Sequence, residues 1–178
     1  MLDVTEGSGW DGESVFRGTV IKEDNIYKMW YSGFNGSKTR IGMAFSVDGI
    51  NPVRSLSLKS SNGAKEVGIS DNGTSNGVNW QKTLLPVFSP GNNWDRMGVG
   101  YPFILKDGKT YKMWYTGFDG SILQIGYAES NDGINWKRHN SPVLKPYKDK
   151  IQVAYPYVIK DSAGYRIYYV AYGKEITG

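Results

Sequence analysis

Residues 27–37 read YKMWYSGFNGS, and residues 111–121 read YKMWYTGFDGS. Nine of the eleven positions are identical, and the two differences, Ser32 against Thr116 and Asn35 against Asp119, are conservative. The duplication extends outward on both sides at the same spacing of 84 residues. Trp10-Asp11 corresponds to Trp94-Asp95, residues 15–22 to 99–106, and Arg40-Ile41-Gly42 to Gln124-Ile125-Gly126. A third, shorter copy follows at a spacing of 54, where VAYPYVIKDSAGYRIYY (153–169) answers to VGYPFILKDGKTYKMWY (99–115). Repetition of this kind marks a solenoid or propeller, in which each unit buries its apolar faces against its neighbours.

The middle copy reads as four strands. Residues 103–106 are apolar, and Asp107-Gly108 predicts a two-residue hairpin with positive φ at both positions. Residues 110–116 alternate, with Tyr111, Met113 and Tyr115 on one face and Lys112 and Trp114 on the other. Phe118-Asp119-Gly120 turns the chain into a third strand over 123–130, and Asn131-Asp132-Gly133 turns it into a fourth over 135–138. Four antiparallel strands in up-and-down order make a propeller blade. The expected class is therefore all-β, with blades of four antiparallel strands.

The first copy carries an insertion, residues 53–73, expected to form an extra hairpin around Asn62-Gly63 before 74–82 supplies the fourth strand. The third copy stops after two strands. We expect one propeller-like domain over 1–178, with blades at 10–90 and 91–145 and a partial blade at 146–178. Two and a half to three blades do not close a ring, since propellers have about four to eight. Open blade faces and a free strand edge are association hazards, so the expectation is a fragment of a longer propeller or a chain that self-associates.

Composition narrows the chemistry. Thirteen Tyr, six Trp and 23 Gly suit pleated, tightly turned strands. Net charge is +4, yet the 21 Lys and Arg are dispersed, so neither nucleic acid nor an anionic membrane is an expected partner. There is no cysteine, which removes disulfides, thiolate metal sites and cysteine nucleophiles. His139 is the single histidine, which argues against a histidine metal site or triad, and no cofactor or metal is expected. No Gly-rich phosphate loop opens a helix. No apolar window is long enough to span a bilayer. Residues 1–12 show no signal-peptide pattern, and bacterial cytoplasm and secretion both stay open.

Three sequence runs, Val-x-x-Pro-x-Ile/Val, Tyr-Lys-Met-Trp-Tyr-x-Gly and Ile-Gly-x-Ala-x-Ser-x-Asp-Gly-Ile-Asn-Trp, are fullest over 99–136. They resemble the five-bladed propeller glycosidases, glycoside hydrolase families 43, 32, 68 and 130, which include arabinanases, xylosidases, invertases, levansucrases and mannoside phosphorylases. The resemblance covers nearly the whole chain in repeated form, and it is specific for the blade rather than for one activity.

That resemblance implies three channel-facing carboxylates from different blades, one to protonate the leaving oxygen, one to activate water or attack, and one to tune the acid. Asp11, Asp95 and Asp149 hold equivalent places in the three copies, and Asp95 in Trp94-Asp95 looks most like the Trp-Asp that carries the nucleophile in levansucrases. Asp95, assisted by Asp11, is thus the expected catalytic pair. The competing reading is an acid repeated in every copy as a turn or capping device, because catalysis needs unlike environments. Alignment of the prolines puts Arg17, Tyr101 and Tyr155 where the family's modulator aspartate stands, and Ala154 where its acid glutamate stands. Arg17, Tyr101 and Tyr155, with Trp94 and Trp10, are the expected substrate-binding residues, since Tyr stacks on sugar faces and Arg binds hydroxyls.

Residues 130–136 are similar to the sialidase Asp box but one residue shorter, and are read as a strand-turn-strand clip. The resulting expectation is a carbohydrate-active propeller acting on arabinose-, xylose- or fructose-containing oligosaccharide or polysaccharide. The alternatives are a non-catalytic glycan-binding or interaction propeller, or a glycosidase fragment without activity.

Overall fold

Ten strands follow one another in the computed structural model, which describes residues 9–47, 80–147 and 150–173. The first blade contains β1 (Ser14–Glu23), β2 (Ile26–Phe34), β3 (Thr39–Val47) and the short β4 (Gln81–Lys82). The second contains β5 (Gly98–Asp107), β6 (Thr110–Phe118), β7 (Leu123–Ser130) and the short β8 (Lys137–Arg138). A final hairpin pairs β9 (Lys150–Asp161) with β10 (Gly164–Gly173). Within each unit the neighbours are antiparallel, and the two blades touch along one parallel bridge, Thr39 to Gly98. The fold is all-β, a partial propeller. The insertion 53–73 and its expected hairpin lie outside the described residues, as does Asp149.

The alternation in β6 explains how the units stack. Tyr111, Met113 and Tyr115 join one buried cluster with Trp30, Ile41 and Met43 of the first blade. Trp114, on the opposite face, joins a second cluster with Val153 and Val158 of the hairpin. β6 is thus covered on both faces, and a fully buried side chain such as Met113 contributes about 2 kcal/mol.

Both differences in the repeated stretch preserve a backbone contact. Asn35 and Asp119 each use Oδ1 to accept two backbone N–H groups of the β2–β3 and β6–β7 turns, at 2.8–3.2 Å. Amide and carboxylate oxygens serve equally there.

Two local expectations are corrected. The β5–β6 turn occupies Gly108 and Lys109, because Asp107 still pairs with Thr110, and only Gly108 has positive φ. The fourth strand of the second blade is two residues long rather than four. The amides of Ile134 and Asn135 donate to Asp132 Oδ1 at 2.9 and 2.8 Å, so they are spent on the turn. The clip reading of 130–136 describes this well: Ser130 Oγ accepts from the Gly133 amide at 2.8 Å while Asp132 holds the other side.

Candidate functional site

Strand one of each unit carries one residue that breaks the ladder. Register shifts occur between Phe16 and Gly18, between Gly100 and Phe103, and opposite Tyr168 and Val170. At these bulges Arg17, Tyr101 and Tyr155 adopt φ of 38°, 54° and 58°. A left-handed conformation at an arginine or tyrosine costs on the order of 1–3 kcal/mol, and it survives only where neighbours hold it. For Tyr101 and Tyr155 the holders are hydroxyls from the preceding unit. Tyr101 donates its amide to Ser32 Oγ at 2.7 Å, and Tyr155 donates its amide to Thr116 Oγ1 at 3.0 Å. Ser32 and Thr116 are the other conservative difference in the repeated stretch.

The bulges gather the three side chains. The Tyr101 and Tyr155 rings meet edge to face at 4.4 Å between centroids, and the Arg17 guanidinium lies 5.4 Å from the Tyr155 centroid. Phe16 and Tyr172 border the group at 5.3 and 6.4 Å. Burial, and then the neighbouring Tyr155 hydroxyl, raises the Tyr101 phenol above its ordinary value. Beside this cluster lies a cleft of about 490 Å³, lined among others by Phe34, Gly100, Tyr101, Thr116, Phe118 and Gln152. Among the described residues, none that lines it is a carboxylate. Gln152 escaped the sequence reading, although its copies disagree, with Ser14 and Gly98 at equivalent places.

Asp11 and Asp95 stand in separate, equivalent settings. Asp11 is fully buried and accepts from the Tyr31 hydroxyl at 2.9 Å and from Lys82 Nζ at 2.9 Å. Asp95, 1% exposed, accepts from the Tyr115 hydroxyl at 3.0 Å and the Gly91 amide at 3.2 Å, and pairs with Arg138. In each case a loop acid ties the second strand of its own blade to the fourth. Burial and then the Asp11 charge raise the Tyr31 phenol, burial raises that of Tyr115, and burial lowers the Arg138 guanidinium to about 10. The cations Lys82 and Arg138 escaped the sequence reading, because they lie 71 and 43 residues from their acids.

Trp10 and Trp94 cover the same bracing. Trp94 stacks on Tyr115 at 5.7 Å and Trp10 leans on Tyr31 at 5.6 Å. Each lies where a Cβ on Gly33 or Gly42, or on Gly117 or Gly126, would stand, which accounts for the glycines in the repeat.

No protein-family model matches the chain. Among characterised and uncharacterised relatives, an uncharacterized protein of Mycobacterium tuberculosis (strain H37Rv) is 32% identical over 89 residues, covering 46% of this chain and 30% of that one. The beta-1,2-mannobiose phosphorylase of Thermoanaerobacter sp. (strain X514) is 29% identical over 143 residues, covering 79% of this chain and 43% of the phosphorylase. Among solved structures, a glycosyl hydrolase from Bacteroides ovatus superposes with a TM-score of 0.53 at 20% identity, over 75% of this chain and 33% of that one. A structure from the GH130 family of mannoside phosphorylases, which contains glycoside hydrolases that target beta-1,2 mannosidic linkages in Candida mannan, superposes equally well. Its TM-score is 0.53 at 20% identity, again over 75% and 33%. The chain therefore spans less than half the length of each of these proteins.

Proposed function

We propose, from a chain that carries the blade fold of the propeller glycoside hydrolases and phosphorylases, that it recognises oligosaccharide through Arg17, Tyr101 and Tyr155. The observation that carries this reading is their convergence: three left-handed bulges, one per unit, bring two tyrosines and an arginine into contact beside the cleft. Aromatic rings offer apolar faces to sugar C–H groups, and phenol and guanidinium donors meet hydroxyls. The similarity to a β-1,2-mannobiose phosphorylase directs the substrate toward β-1,2-linked mannosides ahead of the arabinose, xylose and fructose glycans expected from sequence.

We assign Asp11 and Asp95 a bracing role rather than acid or base work. Each is buried, paired with a cation and hydrogen bonded to tyrosine inside its own blade. A general acid or base must reach the sugar, and among the described residues no carboxylate lines the cleft. Trp10 and Trp94 belong to the same braces.

Calorimetric titration with β-1,2-mannobiose, xylobiose, arabinobiose and a fructo-oligosaccharide tests the reading. Tyr101→Asn and Tyr155→Asn are the appropriate variants, since Asn tolerates left-handed φ. Binding of mannobiose weakened tenfold or more in either variant, at unchanged unfolding midpoint, is the expected result. Undiminished binding in both, or binding of no sugar in the panel, overturns it.

A further inference from the structure

The cleft beside the tyrosines is floored by β5, the first strand of the second blade. Gly98 answers to Ser14 and Gln152 in the other two copies, and Gly100 answers to Phe16 and Ala154. Both glycines line the cleft, and neither has the left-handed φ that calls for glycine. Packing explains one of them. A Cβ on Gly100 would stand 3.0 Å from Thr39 Cγ2 and 3.2 Å from Ser32 Oγ. A Cβ on Gly98 would meet nothing closer than Thr39 Cβ at 3.7 Å, an ordinary contact. Gly98 pairs with Phe118 in β6 and bridges to Thr39 in β3, so it lies between two other lining residues. Glycine weakens a strand, and where neither φ nor packing requires it, it marks the close approach of another group.

The walls say what that group is. They are mainly apolar, with Phe34, Met97, Phe118 and Leu123 around the floor, and among the described residues no charged side chain lines the cleft. Met97 stands where the first copy has Glu13, so the copy with the bare floor also exchanges a carboxylate for a thioether. Met97 is 42% exposed, and a Cβ on Gly120 in the β6–β7 turn would stand 3.4 Å from its Cγ. A flexible thioether at the mouth adapts its shape to an apolar guest. The Thr116 hydroxyl is already engaged by the Tyr155 amide. A second sugar ring calls for several strong hydrogen-bond partners, charged ones above all, whereas an apolar ring calls for none. The volume, about 490 Å³, falls within the roughly 300–1,000 Å³ of small-molecule sites.

We infer, on the reading that Arg17, Tyr101 and Tyr155 hold the sugar, that the cleft is a specificity subsite for an uncharged apolar ring attached to it, an aryl aglycone, and that Gly98 is the residue that admits this ring. Tyr101 belongs to both places: it lines the cleft and meets Tyr155 edge to face. A ring joined to a sugar at the cluster therefore continues into the cleft. Serine or glutamine at this position, as in the sister copies, would put a side chain where the ring lies.

NMR titration of the full chain with phenyl β-mannoside and with methyl β-mannoside tests it. The unaltered chain should bind the phenyl glycoside at least about tenfold more tightly. Gly98→Gln installs the residue of the third copy, and Met97→Glu installs that of the first. Each should bring the ratio of the two affinities down to about one, with unchanged circular dichroism. A ratio near one in the unaltered chain, or a ratio kept in both variants, overturns the inference and leaves sugar recognition at the cluster standing. Binding of neither glycoside overturns both.

Discussion

Trp30 of the first blade donates its indole N–H to the carbonyl oxygen of Gly133 in the second, at 2.7 Å. Trp136 donates to the same carbonyl at 3.0 Å and meets Trp30 edge-on, 6.4 Å between centroids. Gly133 lies in the turn after β7 with φ of 79°, and a Cβ there would stand 2.6 Å from Trp30 Cζ2. Trp30 is thus a plug, seated in the turn of the following blade.

Gly133→Ala should therefore lose more stability than left-handed strain alone predicts. Gly108, with φ of 60° and no atom within 4 Å of where a Cβ would stand, is the control. We expect about 1 kcal/mol for Gly108→Ala and about 3 kcal/mol for Gly133→Ala in urea unfolding, the excess being overpacking. Equal losses would remove the plug from the account.

The brace of the second blade predicts strong coupling. Asp95→Ala leaves the Arg138 guanidinium partly buried without its carboxylate and should cost about 3–5 kcal/mol. In a double-mutant cycle, Asp95→Ala with Arg138→Ala should cost clearly less than the sum of the two single losses. Additive losses would show that the pair does not act as a unit.

Acid stability should depend on Glu23. Burial alone would raise this carboxyl, yet hydrogen bonds from Lys106, Lys28 and Tyr111 outweigh it and lower the value from 4.5 to about 2. A depressed folded-state value stabilises fully above the unfolded-state value, and that contribution fades as pH falls from about 4.5 towards 2. The urea midpoint should drop over this window, and Glu23→Gln should flatten the drop. Identical profiles would assign the acid limb to other groups.

The hydroxyl of Thr116 holds a strained amide, so Thr116→Val should cost about 1–2 kcal/mol, while Thr116→Ser should be near neutral. Hydrogen exchange at the Tyr155 amide should quicken in the valine variant alone. Unchanged protection there would separate the hydroxyl from the bulge.

Read as sequence, the chain already determined its strand order, the β7 boundaries and the two faces of β6, because alternation and turn chemistry act between near neighbours. It also singled out one position, 17, 101 and 155, where Arg17 departs from the tyrosines of the other two copies. Only tertiary structure decided that this position is a left-handed bulge, and that Asp11 and Asp95 face tyrosine and a cation inside their blades. An aspartate's pattern in sequence is the same whether it meets a sugar or a lysine. Its environment is set by side chains tens of residues away, which are brought beside it only when the blade closes.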